Sequence, residues 1–404
     1  MAYAECLGKK WRARYKRPDG TYGSEPGFET KTAAEHWGEE QEAMIRRRTW
    51  IDPDEGETRF ADFAEHWLSV SRLAINTEAK YRSQLRNHIL PQWEDWPLIL
   101  IVNNHLEVQG WVNELHDSLA ESTVASVFSL FSTIMNAAVR ARKIPASPCQ
   151  GIRVTSGGDE VERLVATPVQ VLRAALRMAD LAGYPGFVLT LMDAYTGARW
   201  SELISQWPGL YDRTNKQIPV RRPLREAGGQ IEEAPRPKSP ASKRWIQLPP
   251  FLATLYEALI NECPYRRAFT GARGGALRCS NFSRRFWRPA WDGNPDSPDP
   301  EVRTPAILAG FTFHEGRHTQ RTWLADDLIP DVARAARLGH KLPGMADVYE
   351  HVTPDMQQRV LDVLQARWDS SVAQLTADER RHLLRIVPLD LAATITERAR
   401  AAGE

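Results

Sequence analysis

The stretch His314-Glu315-Gly316-Arg317-His318-Thr319 can be read in two ways, and the choice between them decides the fold. It matches H-E-x-x-H, where two histidines four apart on a helix hold zinc and the glutamate is the base. Against that, Gly316 weakens a helix, and Arg317 would set a cation beside a dication. The longer pattern H-E-x-x-H-x-x-G-x-x-H does not continue from here. In the second reading His314 and Arg317, three apart, share a helix face as a base and an anion clamp.

Three further stretches bear on the choice. Upstream lies Thr196-Gly197-Ala198-Arg199-Trp200-Ser201-Glu202-Leu203, where Thr-Gly ends one helix and Arg199 opens the next. An Arg at a helix start faces an anion alongside free backbone N–H groups. Next is Pro235-Arg236-Pro237-Lys238-Ser239-Pro240-Ala241-Ser242-Lys243-Arg244-Trp245-Ile246-Gln247-Leu248-Pro249, a basic turn ahead of an apolar strand. Downstream is Arg337-Leu338-Gly339-His340, with Gly339 ending a helix, followed by Tyr349-Glu350-His351-Val352. Each residue taken alone is more simply a surface charge or a packing group. The ordered set is Arg…Lys…His-x-x-Arg…His…Tyr.

In that order the chain resembles the tyrosine recombinase (phage integrase) family, whose marks are T-G-x-R-x-x-E-L, a hairpin Lys, H-x-x-R-H-T, L-G-H and a late Tyr. The resemblance is specific over 190–352 and looser on either side. Trp200 stands where an aliphatic residue is usual, Gly316 where Leu is usual, and Ser239 where Thr is common after the Lys. The resemblance implies Tyr349 as nucleophile, Arg199 and Arg317 as phosphate clamp, and Lys238, with Lys243 as fallback, as the acid for the leaving 5′ oxygen. It makes His314 the proton acceptor and His340 a donor to the phosphate, with Glu202 supporting an arginine.

The implied chemistry is that of type IB topoisomerases: a 3′-phosphotyrosyl link, exchange through a Holliday junction, and religation. Cationic side chains stabilise the charge, so no cofactor and no metal are expected. The implied partners are double-stranded DNA at core and arm sites and a homotetramer on DNA. An accessory DNA-bending protein and an excision factor fit an integrase that inserts, and also excises, a mobile element. A resolvase or inversion enzyme shares this plan. The rivals from other classes are a zinc metallopeptidase and a DNA-binding protein with an inert catalytic domain.

The resemblance also implies a multidomain, mainly α chain with small β elements. Residues 1–57 read as a sheet-plus-helix arm-site module. The strand Lys9-Lys10-Trp11-Arg12-Ala13-Arg14-Tyr15-Lys16-Arg17 leads into the turn Pro18-Asp19-Gly20, and Thr32-x-x-Glu35 reads as a capping box. Asp52 to Gly56 reads as a linker. Residues 58–152 follow the 3.6-residue period of helices (Phe60, Phe63, Ala64, Trp67; Val124, Val127, Phe128, Phe131), and the resemblance makes them a core-site DNA-binding domain. Residues 160–370 form a mixed α+β catalytic domain, with Thr167-Pro168-Val169-Gln170 opening a helix. Residues 371–404 form a helical tail. Met356, Val360, Val363 and Leu364 share a face that packs either on the chain's own domain or on a neighbouring subunit.

Composition alone points nowhere near DNA: 404 residues carry 52 Lys+Arg against 51 Asp+Glu, a net charge of +1. The positive charge is local. Residues 1–17 balance at +5 and 213–245 at +6, and 266–288 hold seven Arg and no acid, interleaved with Phe269, Phe282, Phe286 and Trp287. Such clusters suit phosphate contact. The candidate DNA contacts are Lys9, Lys10, Arg12, Arg14, Lys16, Arg17, Arg221, Arg222, Lys243, Arg244, Arg284, Arg285 and Arg288. Cys6, Cys149, Cys263 and Cys279 form no C-x-x-C pair and read as free thiols. The N-terminus lacks an apolar signal core, and the longest aliphatic run, Leu98 to Val102, falls short of the ~18 residues of a membrane span. The expected place is the cytoplasm, at the bacterial nucleoid, with no membrane contact.

Overall fold

A computed structural model describes residues 2–155, 163–227, 229–234, 242–341 and 351–401. The chain divides into two compact units, Met1–Glu160 and Val161–Glu404.

The first unit opens with an antiparallel sheet in the order β1 (Tyr3–Leu7), β2 (Lys10–Lys16), β3 (Tyr22–Phe28). Strand alternation turns Ala13 and Tyr15 inward, where both are buried, and sends Lys10, Arg12, Arg14 and Lys16 to the other face. Gly23 is required here, because a Cβ would lie 2.3 Å from the Tyr15 ring. Helix α1 (Lys31–Arg46) covers the inner face. Its cap is Thr30, whose Oγ accepts from the Ala33 N–H at 3.2 Å, and not the expected Thr32. The backbone is still extended at Thr30, so Thr32 already lies in the first turn. The expected linker is also structured. Asp52 caps a helical turn at Pro53–Gly56, and Arg17 pairs with both Asp52 and Asp54.

Helices α2 (Phe60–Val70), α3 (Ile75–Gln84), α4 (His105–Ser118) and α5 (Glu121–Arg140) build the rest of this unit around Phe131, which meets Phe60, Trp93 and Trp111. Past Gln84 the helix continues through a π turn, Leu85–Ile89, and a further turn to Trp93. Pro91 gives the reason: it has no N–H to donate, and its ring crowds the preceding turn, which one widened turn relieves. The same pairing recurs at Ser283–Trp287 before Pro289. By length and composition α5 is apolar enough to cross a membrane. Its stripe Val124, Val127, Phe131, Ile134, Met135 and Ala138 is fully buried in the unit's own core.

The second unit is organised by α6 (Pro168–Thr196). Thr167 and Gln170 form the expected capping box. The helix breaks at Gly183 (φ 69°), ahead of Pro185, and from Gly186 to Thr196 it is buried throughout. After the short α7 (Trp200–Leu203), strand β4 (Gln217–Val220) pairs with β7 (Arg244–Gln247), and β5 (Leu224–Ala227) pairs with β6 (Gln230–Glu233). Helices α8 (Pro250–Glu262), α9 (Phe313–Asp326), α10 (Asp331–Leu338) and α11 (Pro354–Ala373) follow. The last two helices are α12 (Ala377–Ile386) and α13 (Leu389–Ala401). Val360, Leu364 and Trp368 of α11 face inward, and Trp368 stacks on Phe251 at 4.2 Å. Leu383, Val387, Leu391 and Ile395 join the same core, and Arg173 on α6 grips Glu379 with two hydrogen bonds of 2.8 and 3.3 Å. The face from Val360 to Leu364 is therefore covered by the chain's own second unit.

Candidate active site

Helix α9 places the central cation. Thr312 caps it, and the Glu315 carboxylate reaches back to the Thr312 N–H. One turn in, Gly316 abuts α6: a Cβ there would lie 1.8 Å from Oδ2 of Asp193. The neighbouring Arg317 is 3% exposed. Its Nη1 donates to the Gly197 carbonyl at 2.7 Å, and its Nη2 donates to the Leu338 carbonyl and, at 2.7 Å, to Nε2 of His340.

Both carbonyls are left over at helix C-termini, where four C=O groups lack intrahelical partners. Both helices end in a left-handed glycine, Gly197 (φ 58°) and Gly339 (φ 69°). Gly197 is also a close-approach residue, since a Cβ would come within 2.3 Å of Gln320 Oε1. Burial pulls the Arg317 pKa down to about 9, with Arg199 and Arg244 adding to the effect, so it stays charged at neutral pH. Among the described residues no carboxylate pairs with it directly. A buried guanidinium held only by carbonyls and a histidine is an open anion site.

Arg199 stands at the N-cap of α7, as the motif predicts. Its backbone N–H and its Nη1 both bond the Glu202 carboxylate, each at 2.9 Å. Glu202 is 4% exposed. Burial pushes its pKa up, but Arg244 and Arg199 more than offset this and hold it below the ordinary value. Arg244 was a candidate DNA contact, and its geometry contradicts that role. It is buried with Glu202 and reaches it at 3.0 Å. Strand parity carried the signal, because Arg244 shares the inward face of β7 with buried Ile246.

The histidines are set as neutral groups. Burial first lowers His314, His318 and His340, the last to about 4; neighbouring arginines add to it, and for His314 so does His318. Because a guanidinium only donates, Nε2 of His340 must accept from Arg317, which leaves the ring proton on Nδ1. The zinc-protease reading finds no support. Glu315 is occupied as a helix cap, and among the described residues no group of three His, Cys, Asp or Glu could hold a metal.

Lys238 and Tyr349 lie outside the described residues. Lys243 is exposed immediately before β7. Of the other candidate DNA contacts, Lys9 and Lys16 are exposed, Lys10 pairs with Glu29 at 3.1 Å and Arg12 with Glu5 at 3.6 Å. Arg17 pairs with Asp52 and Asp54 at the turn that follows α1. Arg221 lies over Trp245 at 5.0 Å, Arg222, Arg284 and Arg285 are exposed, and Arg288 pairs with Asp292 at 2.8 Å. The aromatics interleaved with the arginines, Phe269, Phe282 and Trp287, are buried core residues rather than a stacking surface. Three site neighbours were not singled out from sequence: Asp193 and Gln320, buried with unpaired polar atoms, and Arg337, which bonds the carbonyls of Gln247 and Tyr195.

No protein-family model matches the chain. It is 21% identical over 329 residues to a prophage ps2 probable integrase of Lactococcus lactis subsp. lactis (strain IL1403), covering 76% of this chain and 82% of that one. Its fold is similar to that of the Tn1549 transposon integrase in complex with a circular intermediate DNA, at TM-score 0.58, 17% identity, and coverage of 76% of this chain and 99% of that one. It is also similar to a lambda integrase dimer bound to a COC′ core site, at TM-score 0.52, 17% identity, and coverage of 87% and 96%. A lambda integrase tetramer bound to a Holliday junction aligns at TM-score 0.53, 16% identity, and coverage of 87% and 99%.

Proposed function

We infer from fold and site together that this chain, a tyrosine recombinase of the integrase type, cuts and rejoins DNA strands at specific sites. The observation that carries the reading is the buried Arg317, whose partners are all uncharged, beside Arg199 and its carboxylate. Such a site is suited to the two non-bridging oxygens of a phosphodiester.

In the proposed reaction the Tyr349 oxygen bonds to phosphorus while the bond from phosphorus to the 5′ oxygen breaks. The tyrosine proton passes to neutral His314. Lys238 supplies a proton to the departing 5′ oxygen. Arg199 and Arg317 meet the charge that builds on the non-bridging oxygens, and Nδ1–H of His340 is available to donate to one of them. A 5′-hydroxyl of a second strand then attacks the phosphotyrosine and reverses the step. No external energy source is needed, because the phosphodiester energy is retained in the tyrosyl bond.

The wider assignments rest on the same reading. Residues 1–57 serve as an arm-site module, 58–152 as the core-site domain and 160–370 as the catalytic domain, acting as a homotetramer on double-stranded DNA inside the cell. A DNA-bending protein and an excision factor are the accessory partners such an enzyme would use. The decisive experiment incubates the protein with duplex DNA spanning the boundaries of the genetic element that carries the gene. A covalent adduct at Tyr349, absent in Tyr349→Phe, is expected. An adduct formed equally well by both proteins would overturn the assignment.

A further inference from the structure

We propose that Arg244 is a positioning residue for strand cleavage, fixing at once the carboxylate that orients Arg199 and the helix end that presents His340. The proposal rests on the recombinase reading above. The Arg244 side chain is 7% exposed and that of Glu202 is 5% exposed. Its Nε donates to the Arg337 carbonyl at 2.6 Å. Its Nη1 donates to the Ser242 carbonyl at 3.2 Å and to Glu202 Oε1 at 3.4 Å, and its Nη2 to Glu202 Oε2 at 3.0 Å. With every nitrogen engaged inside the protein, Arg244 has no free edge for a DNA phosphate.

The elements joined are those that carry the reacting groups. Glu202 sits on α7 and receives both the N–H and the guanidinium of Arg199. The Arg337 carbonyl lies in the last turn of α10, three residues before His340. Gln206 adds a parallel stitch, donating to the Glu202 carbonyl at 2.9 Å and to the Pro219 carbonyl on β4 at 3.0 Å. Arg337 donates to Gln247 on β7 at 3.0 Å and to Tyr195 on α6 at 2.8 Å.

The physical effect of losing Arg244 follows from charge. Glu202 is a buried carboxylate shared by two guanidiniums. With one removed, its whole field falls on Arg199 and draws that guanidinium away from the phosphate. A planar fork with three separate nitrogens spans these partners, which an ammonium cannot do.

The test uses full-length protein and the boundary-DNA duplex of the adduct assay. Arg244→Gln should bind this duplex with nearly unchanged affinity. At saturating DNA its rate of adduct formation should fall on the order of a hundredfold, the scale of an ångström-sized misplacement. Arg244→Lys should recover part of the loss. A duplex with a methylphosphonate at the scissile position provides the readout that general destabilisation would not move. It carries one charge less, needs the clamp less, and should narrow the gap between variant and wild type. An unchanged rate at saturation, a loss confined to DNA affinity, or an equal deficit on the methylphosphonate would each overturn the proposal. If Arg244→Gln does not fold, Arg244→Lys is judged by the same three readings. Wild-type protein that forms no Tyr349 adduct would instead refute the recombinase reading itself.

Discussion

Arg317 donates from Nη2 to Nε2 of His340 across 2.7 Å, so one catalytic candidate fixes the tautomer of another. The contact requires a neutral imidazole, and burial with the surrounding arginines lowers the His340 pKa to about 4. At pH 7 a nitrogen-detected NMR spectrum should show Nδ1 protonated and Nε2 bare. A protonated Nε2 would reverse the assignment of which atom faces the phosphate.

The same shift fixes a pH dependence. The folded pKa of His340 lies below the unfolded value near 6.5, so the unfolded chain binds the extra proton first. The contribution to stability is complete above pH ~6.5 and is lost as pH falls toward about 4. Lowered His314 and His318 act in the same direction. Urea midpoints should therefore drop between pH 6.5 and 4 and flatten in His340→Gln. Equal slopes in the two proteins would remove His340 from the account.

Glu202→Gln leaves two arginines facing a neutral amide in a buried site. Breaking one side of such a pair costs roughly 3–5 kcal/mol. Chemical denaturation should show that loss, together with slower adduct formation. Wild-type stability would mean that the carboxylate is solvated in solution.

Gly316→Ala forces a methyl onto Asp193, whose carboxyl is wholly buried and, by that burial, held well above the ordinary carboxylate pKa. Overpacking of this kind costs about 1–3 kcal/mol. Gly316→Ala combined with Asp193→Ala should recover much of that, as contacting residues couple. Strict additivity in the double-mutant cycle would argue that the two do not touch.

Deleting residues 372–404 removes Leu383, Leu391 and Ile395 from the core around α6 and breaks the Arg173 to Glu379 pair. The expected result is a large fall in the thermal midpoint of the monomer, measured without DNA. A stable truncated monomer with impaired assembly on DNA would show instead that this segment acts between subunits.

The lysine assignment is also open to a direct comparison. Lys238→Ala should slow cleavage strongly and be restored by a 5′-bridging sulfur, a leaving group that needs no proton. Lys243→Ala should leave cleavage near the wild-type rate. The opposite pattern would move the acid role to Lys243.

Local signals were legible in the sequence wherever the cause was local. Thr167 with Gln170 caps α6, Gly197 and Gly339 close helices in the left-handed region, and a 3.6-residue stripe buries α5. The order of the motifs was enough to select the fold and to rank the zinc reading below it. The Thr30 cap was missed because a neighbouring Thr with a Glu three residues on presents the same pattern. The ion pairs of Arg17 and Arg244 are not legible in the sequence, for a different reason. Their partners stand 37 and 42 residues away, and charge counted along a chain does not register pairs made across it.

Which residue types stand at helix ends and strand faces is legible in the sequence, and with them the family of folds. Backbone propensity and hydrophobic period act over a few neighbours and are written there. Which cations can meet a phosphate and which are held inside is a matter of the packed fold. It set Arg317 on two carbonyls and a neutral histidine, gave Glu202 to two arginines and fixed the proton of His340. Those outcomes depend on burial and on distances of a few ångströms between segments far apart in the chain, where a hydrogen bond or ion pair either forms or does not.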